Sequence, residues 1–148
     1  MKNTLCRITG ILTLAFLATT QVARAQEAVL ANIPFAFTAG KMALPAGEYR
    51  VEKLPTGTDS LLVIQRTDYS ASTIVISNAT EAKKEQEHSK LVFHRIGKRY
   101  FLSQVWVAGN SRGRELPPSA KEKEQALLAR NEAPDQVTIV ARLISSNH

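Results

Sequence analysis

Residues 90–106, KLVFHRIGKRYFLSQVW, constrain the fold of this chain more than any other segment. Two runs of β-forming residues are separated by Gly97 and Lys98. A two-residue loop with glycine first is typical of a type II′ turn, whose twist matches that of the flanking strands. The segment therefore predicts a β-hairpin in which residue 96 faces 99, 94 faces 101 and 93 faces 102.

Both faces of this predicted hairpin are rich in apolar side chains. One face would carry Leu91, Phe93, Tyr100, Leu102 and Trp106, and the other Val92, His94, Ile96, Phe101, Val105 and Val107. A β-ribbon with two apolar faces has to be covered on both sides. We therefore expect the hairpin to lie centrally, with its aromatic side chains building the core of the domain.

The rest of the chain indicates short strands between turn residues. Ile33, Phe35 and Phe37 alternate with smaller or polar residues, and Pro34 among them predicts an edge strand or the start of one. Further strands are predicted at residues 48–53, 61–66, 73–77 and 137–144. Residues 78–89 have almost nothing to bury and predict an exposed mobile loop or a short surface helix.

One helix is predicted late in the chain, at about residues 119–131. Ser119-x-x-Glu122 matches a capping box, and good helix formers follow it. Its apolar content is thin, so we expect it on the surface. About seven strands at hairpin spacing with one late helix predict a mainly β fold, either an antiparallel β-sandwich or a small barrel.

The first 25 residues have the features of a signal peptide. Lys2 and Arg7 precede an apolar run at residues 8–18, and small residues at 23 and 25 match the positions that signal peptidase recognises. We expect cleavage after Ala25, with an uncleaved N-terminal anchor as the alternative. The mature single β-rich domain, residues 26–148, is then periplasmic or extracellular.

Cys6, the only cysteine, precedes the predicted cleavage site. A lipoprotein needs cysteine at the first mature position, where this chain has Gln26. The mature protein would therefore have no disulfide, thiol nucleophile or cysteine-ligated zinc. The signal also holds three of the cations behind the formal net charge of +6, which leaves +3 for the mature domain. This modest charge does not indicate nucleic-acid binding.

Several short motifs resemble a family of small exported bacterial proteins of unknown function. They are Phe-x-x-Gly at residues 37–40, Leu-Pro-Ala-Gly-Glu-Tyr at 44–49, Phe-His-Arg at 93–95, Tyr-Phe-Leu at 100–102 and Gly-Arg-Glu-Leu-Pro at 113–117. The resemblance covers roughly residues 29–143. It implies export and a β-rich fold, and it brings no activity, ligand or catalytic residue.

Catalytic and metal-binding candidates are weak. GNSRG at residues 109–113 matches G-x-S-x-G, but two prolines block the helix that a nucleophile elbow needs directly after Ser111. His94 has aromatic neighbours and no second histidine at metal-ligand spacing. The acids outside the loop and helix, which are Glu48, Glu52, Asp59, Asp68 and Glu115, show no pairing in the sequence. We expect no catalytic residue, metal or cofactor.

Two small basic groups are the speculative binding candidates. Arg95, Lys98 and Arg99 flank the hairpin turn, whereas Arg112 and Arg114 follow its second strand and should lie near the opposite end. With His94 and Trp106 they form the predicted ligand-binding set. Contact with an anionic envelope component is one interpretation. The other is that cations at strand ends suppress edge-to-edge pairing.

These patterns favour an exported, non-enzymatic binding or interaction module of the cell envelope, whose ligand is an anionic component or a small apolar molecule. The alternative is a structural, self-assembling protein that uses the Pro34 strand, and a hydrolase ranks third. Three structural findings would distinguish these functions. A cavity lined by aromatic rings would favour ligand binding, and a filled interior with an exposed apolar face would favour assembly. A cleft in which His94 meets a carboxylate and a hydroxyl would favour catalysis.

Overall fold

A computed structural model describes residues 26–130 and 133–146 of the chain. The predicted signal peptide and its cleavage site at Ala25 lie outside the described residues, as does His148. Eleven strands and one helix are present. They are β1 (Gln26–Ile33), β2 (Phe37–Ala39), β3 (Met42–Leu44), β4 (Gly47–Lys53), β5 (Leu61–Arg66), β6 (Ser72–Ile76), β7 (Asn78–Glu81), β8 (Ser89–Ile96), β9 (Arg99–Trp106), β10 (Arg112–Glu115), α1 (Ala120–Leu128) and β11 (Asp135–Ser146).

The strands form one sheet that curls into a nearly closed barrel. The order is β3-β2-β9-β8-β11-β1-β4-β5-β6, and β10 pairs with both β9 and β7. The long strand β11 joins the two halves, because residues 135–141 pair with β8 and residues 142–146 pair with β1. This architecture confirms the predicted mainly β fold with one late helix.

The sheet closes into a barrel through β7 and β10, but it stays open between its end strands β3 and β6. We call this opening the seam. Strand β6 continues through Ser77 into β7, which pairs with β10 and thus connects back to β9. Arg114 holds this joint, because its guanidinium donates to Ser77 Oγ at 3.0 Å and to Ser77 O at 2.6 Å. Elsewhere the end strands β3 and β6 are not paired with each other.

The predicted hairpin is present with the predicted register. Ile96 pairs with Arg99, His94 with Phe101, and Phe93 with Leu102. Gly97 has φ +62° and Lys98 is not among the residues with positive φ, as a type II′ turn requires. The short turn therefore sets the register of the first three pairs.

A β-bulge then reverses part of the predicted facing. Val92 pairs with Gln104 and Phe93 with Leu102, so Ser103 is the extra residue. Beyond it, Val105 and Val107 pack in the core cluster, whereas Trp106 is buried outside that cluster. The predicted faces of these three residues are wrong, because an inserted residue moves the side chains that follow it to the opposite face of the strand.

Both faces of the hairpin are nevertheless covered, as predicted. Phe93, Leu91 and Leu102 lie in the core cluster. On the other face, Phe101 is 2% exposed, and His94 contacts Glu122 of α1. The hairpin aromatics therefore build the domain from its centre.

Three sequence predictions need correction. The strand predicted across Pro34 is broken, because β1 ends at Ile33, and β1 lies between β11 and β4 instead of at an edge. Residues 78–81, predicted as part of a mobile loop, form β7. The following turn is tied down as well, because Gln86 exchanges backbone hydrogen bonds with Gly109 and Asn110.

Helix α1 begins where the capping box predicted. Ser119 is its N-cap, and the Ser119 hydroxyl accepts from the Glu122 N–H at 3.1 Å. The helix ends at Leu128, earlier than predicted. The part of the chain that the structure describes contains no helix with the length and hydropathy needed to span a bilayer.

Candidate functional site

A surface groove of about 640 Å³ lies at the barrel seam. Its three walls are residues 40–42 in the β2–β3 hairpin, residues 73–76 of β6, and residues 116–121, which run from β10 into α1. Specific ligand sites in proteins usually measure about 300–1,000 Å³. The groove therefore has the size of a small-molecule site.

Apolar side chains dominate this groove although they are open to solvent. Ile74 is 58% exposed, Ile76 is 66% exposed and Met42 is 52% exposed. Strand β6 alternates, so that Val75 points into the core while Ile74 and Ile76 point outward. Contiguous exposed apolar side chains mark interaction surfaces more often than isolated ones do.

A close contact at Gly40 defines the inner end of the seam. Gly40 has φ +58°, and a Cβ there would lie 3.1 Å from Val75 Cγ1. The hairpin turn thus abuts β6 directly. Any larger residue at position 40 would push these two walls apart.

The third wall is held against the outer face of the central hairpin. The Leu116 N–H donates to Ser103 O at 2.7 Å. Ser119 caps the helix, and the Glu122 carboxylate contacts His94 Nδ1 at 2.8 Å. Residues 116–122 are therefore anchored at both ends, which gives the groove wall a defined position.

His94 joins Glu122 and Ser103 in one hydrogen-bonded chain. His94 Nδ1 lies 2.8 Å from Glu122 Oε1, and His94 Nε2 lies 3.2 Å from Ser103 Oγ. When Glu122 is ionised its carboxylate only accepts, so Nδ1–H donates to it; in the neutral imidazole Nε2 then accepts from the Ser103 hydroxyl. The bulge in β9 accompanies this contact, since Ser103 is the inserted residue. We refer to Ser103, His94 and Glu122 as the polar link.

The polar link has the connectivity of a serine–histidine–carboxylate triad. Such a triad needs a nucleophile that substrate can reach and donors for the oxyanion. Ser103 is only 4% exposed, lies inside a strand, and lines neither the seam groove nor the smaller groove beside residues 85–88. The arrangement brings His94 to a carboxylate and a hydroxyl, but the hydroxyl is buried. It is suited to fastening α1 to the sheet.

The interior of the barrel is filled by aromatic rings. Phe35 stacks on Tyr100 with ring centroids 3.8 Å apart, and it meets Phe93 edge-on at 5.2 Å. Phe37 makes edge contacts with both Tyr49 and Phe93. These rings therefore pack against one another.

Trp106 is held on the outer face of the hairpin. Its indole N–H donates to Gln104 Oε1 at 3.0 Å. The ring lies against Gly113 of β10, where a Cβ would be 2.6 Å from Trp106 Cε3. Trp106 thus fastens β10 to the hairpin.

The predicted basic residues do not converge. Arg95 pairs with Asp135 at 2.8 Å, and the hydrogen bond that its guanidinium donates to this carboxylate raises the pKa of Arg95. Lys98 and Arg99 are exposed at the hairpin turn. Arg114 is bonded to Ser77 near the far end of β9, and Arg112 is exposed beside it. Two separate basic groups are present, as predicted, and whether they bind a ligand stays a prediction.

The other sequence candidates lie in ordinary surroundings. Ser111 is followed by strand β10 and not by a helix, so the geometry of a nucleophile elbow is absent there. Glu52, Asp59 and Asp68 each pair with a nearby cation. Hydrogen bonds from Ser70 lower the pKa of Asp68. Within residues 26–130 and 133–146, no three His, Cys, Asp or Glu side chains are grouped to hold a metal ion.

Sequence reasoning missed the groove and two members of the polar link. The capping box assigns Glu122 only to the start of α1, and no sequence motif singles out Ser103. No local signal connects residues 40–42, 73–76 and 116–121. One hint of an exposed apolar surface is present in β6. Val75 already supplies the buried face of this strand, so the alternating Ile74 and Ile76 have to lie on its other face.

Comparisons with protein-family models, with curated proteins and with solved structures found no match. The resemblance to small exported bacterial proteins therefore stays a prediction that depends on the motifs quoted above.

Proposed function

We propose that this protein is an exported, non-enzymatic binding module of the cell envelope that binds its ligand in the seam groove. The observation that supports the proposal is an apolar groove of about 640 Å³ on a barrel whose core is packed with aliphatic and aromatic side chains. Ligand sites are typically apolar recesses with a few polar groups. The predicted signal peptide supports export.

Binding of the apolar dye Nile red to the mature protein tests the proposal. We expect saturable binding whose affinity falls about tenfold in the double variant Ile74→Thr/Ile76→Thr, because methyl groups that contact the dye are removed. Threonine keeps the β-branched shape that the strand favours. Val140→Thr is the matched control, because Val140 is 67% exposed on β11, away from the groove.

An equal loss of affinity in the β11 control, or dye binding that does not saturate, would contradict binding in the groove. Unfolding curves of all variants, followed by the fluorescence of the single tryptophan, verify that the fold is retained.

Export has its own test. When the full chain is expressed in a bacterial host, the exported protein should begin at Gln26. Replacing Ala25 by leucine should block processing, because signal peptidase requires a small residue there. An exported protein that keeps its first 25 residues would support the anchored alternative instead.

The polar link makes a hydrolase the competing function to exclude. A fluorophosphonate probe reacts with activated serines, and we expect it to leave Ser103 unmodified because that hydroxyl is buried. Labelling that disappears in Ser103→Ala and in His94→Gln would contradict the non-enzymatic proposal.

Self-assembly is a second candidate, which the exposed apolar residues of β6 and β11 favour. Leu143 is 42% exposed and lies near Val140 along β11. Sedimentation of the mature protein over a range of concentrations distinguishes the candidates. A stable oligomer that Ile74→Thr/Ile76→Thr dissociates would place the groove in a subunit interface.

A further inference from the structure

The seam groove contains only two charged side chains, and both are lysines. Lys41 lies in the β2–β3 turn, and Lys121 lies in the first turn of α1. None of the lining residues is acidic. Both charged side chains that line the groove are therefore cationic.

Neither lysine forms an ion pair with another described residue. The ion pairs among the described residues involve Arg50, Lys53, Arg66, His94 and Arg95, so Lys41 and Lys121 take part in none of them. Both lysines are exposed. Their ammonium groups are thus available to an anion that approaches the groove.

The apolar part of the groove lies beside these cations. Met42 follows Lys41 directly, and the groove-lining pair Ile74 and Ile76 lies on the facing strand. Pro117 and Pro118 complete the wall next to the helix. A ligand that fits this arrangement has an apolar chain and an anionic head.

The seam does not suit an inserted peptide strand. A strand needs about 4.8 Å on each side to pair with its neighbours, whereas the β2–β3 turn already contacts β6 at Gly40 and Val75. Pro117 and Pro118 have no N–H and cannot pair with a strand from the third side. A slender acyl chain lying along the surface meets none of these obstacles.

We propose that the groove binds a single-chain anionic amphiphile, with its acyl chain on Met42, Ile74 and Ile76 and its head group beside Lys41 and Lys121. This assignment rests on the proposed function of the groove and names its ligand class. The head group is a carboxylate, as in a free fatty acid, or a phosphate, as in a lipid fragment, and both offer acceptors to an ammonium group.

Calorimetric titration of the mature protein with ligands of one chain length tests the charge requirement. The ligands are dodecanoate, dodecyl phosphate, dodecanol and dodecyltrimethylammonium, the three charged ligands below their micellar concentrations and dodecanol below its solubility limit. We expect the anions to bind about tenfold more tightly than the alcohol, because two exposed ion pairs contribute about threefold each. The cationic ligand should bind more weakly than the alcohol. The two anions differ only in the head group and thus identify its source.

Two variants separate the contributions of charge and apolar contact. In Lys41→Gln/Lys121→Gln the preference for anions should fall to about onefold, while dodecanol affinity stays unchanged. In Ile74→Thr/Ile76→Thr every ligand should bind about tenfold more weakly. Lys123→Gln is the control, because Lys123 is an exposed cation of α1 that does not line the groove. Raising the ionic strength from about 0.1 M to about 1 M should reduce the preference for anions.

Each other outcome overturns the assignment in a recognisable way. Equal binding of dodecanol and dodecanoate would refute the anionic head but keep the groove as an apolar site. Absence of binding by all four ligands would refute both the ligand class and the proposed function. An equal effect of Lys123→Gln would show nonspecific attraction. A dimer that dissociates in Ile74→Thr/Ile76→Thr would identify a second copy of the chain as the occupant.

Discussion

Replacing Glu122 by alanine tests whether the polar link fastens helix α1 to the central hairpin. The Glu122 carboxylate contacts His94 Nδ1 at 2.8 Å and is the polar contact found between α1 and β8. Its loss removes the acceptor of the His94 proton but leaves the N-cap at Ser119 intact. The substitution therefore perturbs the attachment of the helix more than its formation.

The geometry sets the expected magnitude. A hydrogen bond to a charged group contributes about 1.5–3 kcal/mol to stability, and partial exposure lowers this figure. The two side chains are 24% and 11% exposed, so most of the contribution should remain. We expect Glu122→Ala to lower the free energy of unfolding by about 1–2 kcal/mol. The same variant should weaken binding of Nile red, because residues 116–121 would no longer be fixed as a groove wall.

Urea unfolding followed by Trp106 fluorescence measures this effect. Trp106 is the single tryptophan of the chain and lies buried outside the core cluster, against β10. Glu124→Ala is the matched control, because Glu124 is an exposed acid of the same helix. In a double-mutant cycle with His94→Ala, the coupling energy should be about 1–2 kcal/mol. Coupling below about 0.5 kcal/mol, or an equal effect of the control, would refute the role of the link.

Four further predictions address the hairpin and the core. Phe93→Ala should destabilise the protein by about 3–5 kcal/mol, since the ring is fully buried; a change of less than about 1 kcal/mol in urea unfolding would contradict its packing. Arg99→Ala should leave the melting temperature nearly unchanged, because the residue is exposed; a large drop would reveal a structural ion-pair network at the turn. Gly113→Ala should cost about 1–3 kcal/mol and shift the emission of Trp106, because the new methyl group overlaps the indole; an unchanged spectrum would contradict this contact. Burial raises the pKa of Tyr49 above 10.0, so the unfolded chain ionises first and wild-type stability should fall as the pH rises through 10.0; Tyr49→Phe should lose less stability over that range, and equal losses would contradict the assignment.

The hairpin was predictable because its determinants are local. Two adjacent residues, Gly97 and Lys98, select the turn, and the turn sets the register of the pairs beside it. The strands at 61–66 and 48–53 were recognised for a similar reason, since their β-forming residues lie between clear turn signals. Local chemistry thus predicts where elements form and how near neighbours pair.

The sequence predictions fail where contacts with other segments of the chain override the local preference of the sequence. Ser103 is inserted into β9 at the point where its hydroxyl reaches His94 and its carbonyl accepts from Leu116. Residues 78–81 carry no apolar signal of a strand, but their backbone finds a partner in β10. Leu116 lies outside the hairpin and β10 is far from β7 in sequence, so a pattern of side-chain types cannot reveal these contacts. The same argument explains why Glu122 was assigned to its cap and not to the hairpin.

The groove combines features that stability alone does not favour. A folded domain gains nothing from placing Ile74 and Ile76 in water, and Lys41 and Lys121 receive no ion-pair partner among the described residues in return. In the core, by contrast, the aromatic rings contact one another. Departures from local consistency are expected at functional sites, where a ligand supplies the missing contacts. An amphiphile that covers the isoleucines and neutralises the lysines would supply both the apolar contacts and the ion pairs. For this reason we propose that the protein binds its ligand at the seam and not at the hairpin turn.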